Sequence, residues 1–175
     1  MGNVRVVFLD FDGVLNSTAF ALRVPHKGLM GLDPEAVARL NSLEMEIEED
    51  VCFVVSSTWR FGRTLDQLRR ILHEAGFTGI VAGKTPELNK PRGLEIQAWL
   101  DSAPLYGIEV EQFVILDDDS DMEHLGDRLV KTSFQDGLQD EHVERVKVLL
   151  AEPKRRIVAP PKDFLARFER DRSRA

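Results

Sequence analysis

The sequence predicts an α/β domain in which a parallel β-sheet carries helices on both faces. Three observations lead there. Continuous apolar runs of four to six residues recur along the chain, longer helical patterns separate them, and three of the runs end in polar clusters. Strands apolar on both sides belong to a sheet covered on both faces, and their alternation with helices marks βαβ units.

Val4 to Leu9 is too short for a helix and rich in branched residues, so it reads as a buried strand. In "LDPEAVARLNSL", Asp33 stands as an N-cap with Pro34 at the first helical position. Val51 to Val55 is a second buried strand. "TLDQLRRILHEAG" starts a helix at the cap Thr64, aligns Leu65, Leu68, Ile71 and Leu72 on one face, and stops at Gly76. Gly79 to Ala82 is a weaker strand. "RGLEIQAWL" is helical, Phe113 to Leu116 is a buried strand, and "RLVKT" is an edge strand. "DEHVERVKVLL" is a helix stopped by Pro153. "AEPKRRIVAPPKD" reads as a Pro-rich linker into a short terminal helix or tail. The expected organisation is one domain over 1–152 and a basic tail over 153–175, with no internal repeat.

Composition excludes several functions. The chain has 175 residues, 43% apolar and 30% charged, as an ordinary globular protein does. No apolar run reaches the roughly 20 residues that cross a bilayer, and no signal peptide is expected, so the default compartment is cytoplasmic. Cys52 is the single cysteine, which rules out an intrachain disulfide or a Cys-based zinc cluster. Its apolar setting, "VCFVV", makes it a core residue. His26, His73, His124 and His142 lack metal-ligand spacing. A net charge of −7 disfavours a simple duplex-DNA binder. The last 25 residues nevertheless hold eight Lys or Arg against four acids, a solvated end or a segment that follows a phosphate backbone.

Ligands of such sheets bind beyond the carboxyl ends of the strands. Asp10 and Asp12 follow the first strand; Ser56, Ser57 and Thr58 follow the second; "DDDSD", Asp117 to Asp121, follows "FVIL". In extended backbone, residues i and i+2 share one side, so Asp10 and Asp12 project together while Phe11 turns away. Two carboxylates about 4 Å apart repel by about 4 kcal/mol at an effective dielectric of 20. Asp117 and Asp118 would add to that. A hard divalent cation such as Mg²⁺ among the oxygens makes the cluster tolerable. A solvated acidic loop is the other reading of "DDDSD". An EF-hand fails, because its Gly and Glu positions hold Leu15 and Ala21.

Motif for motif, the chain resembles the haloacid dehalogenase superfamily of aspartate-nucleophile phosphotransferases. Asp10, Phe11, Asp12 and Gly13 match its first motif, "FVVSSTWR" its second, Lys90 or Arg92 in "KPRGLEIQAWL" its third, and "FVILDDDSD" its fourth. "DFDGVLN", "SSTWR", "RGLEIQAWL", "ILDDDSDM" and "LVKTSFQDGLQDEHVERV" resemble one branch more closely, the phosphatase-like domains of Swiss-army-knife RNA-repair proteins.

The resemblance implies a Rossmann-like sheet with minimal or no cap, and a Mg²⁺-dependent phosphatase. Asp10 would be the nucleophile and Asp12 the general acid and base. The metal would be held by Asp10, the main-chain carbonyl of Asp12, and Asp117 or Asp118. Ser56, or Ser57 one residue later, would bind a phosphoryl oxygen, and Arg92, or Lys90, would supply positive charge. Asp121 would assist from behind. Spacing leaves no room for an inserted lid between Asp12 and Val51 or between Thr58 and Lys90, so an open site is expected. In this superfamily open sites accompany bulky substrates, here a nucleotide or a polynucleotide end. Trp59 and Arg60 would bind substrate, or Trp59 would pack beside the sheet; Arg23, Lys27 and Arg63 would rim the opening, and Trp99 would be core. A receiver-like phosphoacceptor and a non-catalytic binding module are the rival uses of such a fold.

Overall fold

Five parallel strands in the order β3-β2-β1-β4-β5 form the sheet of the computed structural model, which describes residues 3–26, 31–47 and 50–153. Lys27 and the basic tail beyond Pro153 lie outside the described residues. In chain order the elements are β1 (Asn3–Leu9), α1 (Thr18–Arg23), α2 (Pro34–Glu46), β2 (Val51–Val55), α3 (Leu65–Glu74) and β3 (Val81–Lys84). There follow α4 (Arg92–Ser102), β4 (Glu109–Asp117), β5 (Leu129–Lys131) and α5 (Asp140–Ala151). The chain winds outward from β1 through β2 to β3, then returns to the other side of β1 for β4 and β5. That reversal opens a crevice at the carboxyl ends of β1 and β4, where α/β sheets hold their ligands.

Both faces of the sheet are covered, as the apolar strands require. Val7 and Leu9 of β1 face the core built with α2, α3 and α5. Val6 and Phe8 face a second core that includes Ile96, Trp99 and Leu100 of α4. Phe8 meets Trp99 edge-on at 5.5 Å between ring centroids. Helix starts follow the predicted caps. The Asp33 carboxylate accepts the Glu35 N–H at 2.9 Å, and Thr64 and Gln67 form a reciprocal capping box.

Three elements differ from expectation. β3 begins at Val81 rather than Gly79, and its ladder with β2 shifts register between Phe53 and Val54. β4 starts at Glu109, four residues early, through a partly exposed polar stretch that alternation alone does not reveal. α1 was not expected; Ser17 caps it and Phe20 is its one buried residue. α1 and α2 lie between Asp12 and Val51, and α3 and β3 between Thr58 and Lys90, and among the described residues neither interval carries a lid domain. Among the described residues no helix is long and apolar enough to cross a membrane.

Candidate active site

The polar clusters converge at the carboxyl ends of β1, β2 and β4. Asp10 continues the strand, its N–H donating to the Leu116 carbonyl at 3.0 Å, and is only 4% exposed. Carboxylate oxygens of Asp10, Asp117 and Asp118 all lie within 4.8 Å of one another. Gly13 lets the chain turn here with φ of +69°; a Cβ at that position would collide with the Asp118 carboxylate. The Thr132 hydroxyl, just past β5, donates to the Gly13 carbonyl at 2.7 Å and pins the turn.

Arg92 is the cation at this cluster. Its Nη1 lies 3.1 Å from Asp10 Oδ2 and 2.8 Å from Asp117 Oδ2. Lys90 stands two residues before the helix, half-buried, and Arg92 is the basic residue that the structure brings into contact. Placement of Arg92 comes from the acidic loop. Pro91 offers no side-chain cap, and the Asp121 carboxylate instead accepts the Arg92 N–H at 2.9 Å. The Asp121 carbonyl accepts the Gly93 N–H at 3.1 Å, and a Cβ on Gly93 would strike the Met122 carbonyl.

One guanidinium does not balance three carboxylates. Burial and the Asp10 charge push the Asp117 carboxyl up to about 7, against the pull of Arg92. Asp118 is raised by the same two causes. Burial opposes the charge of Arg92, but Asp10 and Asp117 outweigh it and raise its pKa. The donor set is all oxygen, convergent and short of positive charge, which fits a hard divalent cation.

The two serines divide their work. Ser57 Oγ accepts the Trp59 N–H at 3.3 Å and caps the turn Thr58–Arg60. Ser56 is fully buried and its Oγ has no hydrogen-bond partner among the described residues. Such an orphan costs about 1–3 kcal/mol, a cost that a bound oxyanion would remove.

Asp12 is set apart from the cluster. Trp59 Nε1 lies 3.0 Å from each of its carboxylate oxygens, and Asn16 Nδ2 donates to Oδ1 at 2.7 Å. Trp59 is 9% exposed and meets Phe11 edge-on, so it packs beside the sheet. Arg60 departs from expectation. It is 1% exposed, ion-paired with Glu95, and donates to the carbonyls of Ser56, Ser57 and Thr85 at 2.7, 2.9 and 3.1 Å. Its chemistry is that of a staple holding the β2 and β3 exits together. Arg63 covers Trp59 from outside, its Cζ 5.8 Å from the ring. Arg23 pairs with Asp33 and Glu35. Asn16, Glu95 and Thr132 were not anticipated. The signal for Glu95 was a glutamate amid the apolar residues of "RGLEIQAWL".

A family model described as the HAD domain in Swiss Army Knife RNA repair proteins matches residues 6–143. The chain belongs to this family. No curated protein and no solved structure matches it. The match takes in β2 to β5 and β1 from Val6 onward, with all the site residues above. Membership places the chain among hydrolases of the phosphatase type in general, and the aspartate cluster is compatible with that class.

Proposed function

We propose that this HAD domain is a Mg²⁺-dependent phosphatase that hydrolyses a phosphate monoester through an aspartyl-phosphate on Asp10. The observation that carries the reading is the convergence of Asp10, Asp117 and Asp118 beside Arg92 and the unpartnered Ser56 hydroxyl. Asp10 attacks phosphorus, and Asp12 protonates the leaving oxygen. A water then attacks the aspartyl-phosphate while Asp12 takes its proton, which restores both carboxyl groups. Ser56 donates to one phosphoryl oxygen and Arg92 neutralises charge developing on another. Asp10, Asp117 or Asp118, and the Asp12 main-chain carbonyl would hold Mg²⁺, which shields an anionic phosphate approaching an anionic nucleophile. Ser57 and Lys90 stay outside this set, because Ser57 is spent as a cap and Arg92 already meets the carboxylates.

The substrate is a nucleotide or a polynucleotide end in the cytoplasm. No inserted domain covers the site, so the substrate itself must exclude water, and the family is named for RNA repair. An acid beside the nucleophile speaks for turnover and against a long-lived receiver-like phosphoaspartate.

The test is phosphate release from nitrophenyl phosphate, nucleotides, and RNA and DNA oligonucleotides bearing 3′ or 5′ phosphates. Release that needs Mg²⁺, stops with a chelator and disappears in Asp10→Asn is expected. No release from any of them overturns the reading. Salt-sensitive activity lost on deleting residues 154–175 would tie the basic tail to a polyanionic substrate.

A further inference from the structure

The sequence presents Trp59 as a base-stacking platform or a packing residue, yet its indole N–H is aimed at a carboxylate. We infer that Trp59 is a positioning residue: with Asn16 it orients Asp12 so that Oδ2 is the oxygen that exchanges the proton. The inference rests on the phosphatase reading above.

The argument begins at Gly13. Its N–H donates to Asn16 Oδ1 at 3.0 Å, which fixes the Asn16 amide so that Nδ2 faces Asp12. Asp12 Oδ1 therefore receives two donors, Asn16 Nδ2 at 2.7 Å and the indole at 3.0 Å. Neither donor can accept a proton, because an indole N–H and an amide NH₂ only give. Among the described residues Oδ2 shares the indole alone, also at 3.0 Å, and keeps a lone-pair direction for a proton. The indole is itself immobilised. Phe11 lies edge-on at 5.4 Å, Ser57 Oγ holds the Trp59 main-chain N–H, and Arg63 Nη1 donates to its carbonyl at 2.8 Å.

In the first step the Asp10–phosphorus bond forms, the ester bond breaks, and the proton on Asp12 Oδ2 passes to the leaving oxygen. In the second a water oxygen bonds to phosphorus, the Asp10–phosphorus bond breaks, and Oδ2 takes the water proton. Misplacing a reacting group by about 1 Å costs on the order of a hundredfold. Holding Oδ2 in register is the contribution assigned to Trp59.

The experiment compares Trp59→Phe with the parent chain on an alkyl phosphate and on nitrophenyl phosphate. Phenylalanine keeps a ring against Phe11 and removes the N–H. Nitrophenolate departs without a proton, whereas an alkoxide needs one. In Trp59→Phe, kcat/KM for the alkyl ester is expected to fall roughly ten- to a hundredfold, and at least tenfold more than for nitrophenyl phosphate. An equal loss on both esters, as a merely structural role would produce, overturns the inference, as does no loss. A second measurement needs no turnover. The ¹⁵N-labelled chain has two indole N–H signals, from Trp59 and Trp99. Asp12→Asn should shift the Trp59 signal and leave that of Trp99; a Trp59 signal indifferent to Asp12 overturns the contact whatever the activity.

Discussion

Arg60, fully buried, and Arg92, half-buried, stand at the same pole of the sheet, but they are neutralised in opposite ways. Arg60 is surrounded by main-chain carbonyls and one carboxylate, Glu95, whose second oxygen accepts the Leu88 N–H at 2.8 Å. Its surroundings are complete, and burial lowers its pKa. Arg92 reaches Asp10 and Asp117 with one nitrogen, beside a third carboxylate, and those acids raise its pKa. The scaffold matches charge to charge, while the site is left with negative charge in excess. That excess is what a cation and a phosphoryl group can use.

Cutting the Arg60 pair should give the largest response. Glu95→Ala strands a buried guanidinium and is expected to cost about 3–5 kcal/mol of stability, read by denaturant unfolding. Replacing both partners with apolar residues should cost less than either single change. Arg92→Met should reverse the pattern, lowering kcat by about 10²–10³ while unfolding stays cooperative and close to that of the parent. Equal destabilisation by Glu95→Ala and Arg92→Met would erase the distinction. The smallest effect concerns pH. The folded-state pKa of Asp117 is raised from an ordinary value of 3.8 to about 7. Its contribution is therefore fully present below about pH 4 and is lost as pH rises through 7. Without metal, the melting temperature should fall between pH 5 and pH 8 more steeply than in Asp117→Asn, and Mg²⁺ should restore it. A parallel pH course in both proteins would place the excess charge elsewhere.

Most of the architecture could be read from one dimension, because buried strands and capped helices write themselves in short range. Val6 to Leu9 and Val51 to Val55 are apolar on both faces because helices cover both faces, and Asp33 and Thr64 cap the helices they precede. The edge was less legible. Ile80 is 64% exposed beside β3, so hydrophobicity there does not report pairing. α1 has six residues and one buried side chain, too few for a period to emerge. At the site, residue types were legible and directions were not. Arg60 reads in the sequence as a substrate-binding cation, because its partner Glu95 lies thirty-five residues away. Of Ser56 and Ser57, the turn consumes the Ser57 hydroxyl, a direction the sequence does not carry.

Asp121 grips two successive amides at the start of α4, one through its side chain and one through its carbonyl. Acid loop and arginine are thereby geared to each other, like two teeth on one wheel. A shift of the loop would carry the guanidinium with it, so on the phosphatase reading the arrival of a cation and the aiming of the positive charge would be a single event.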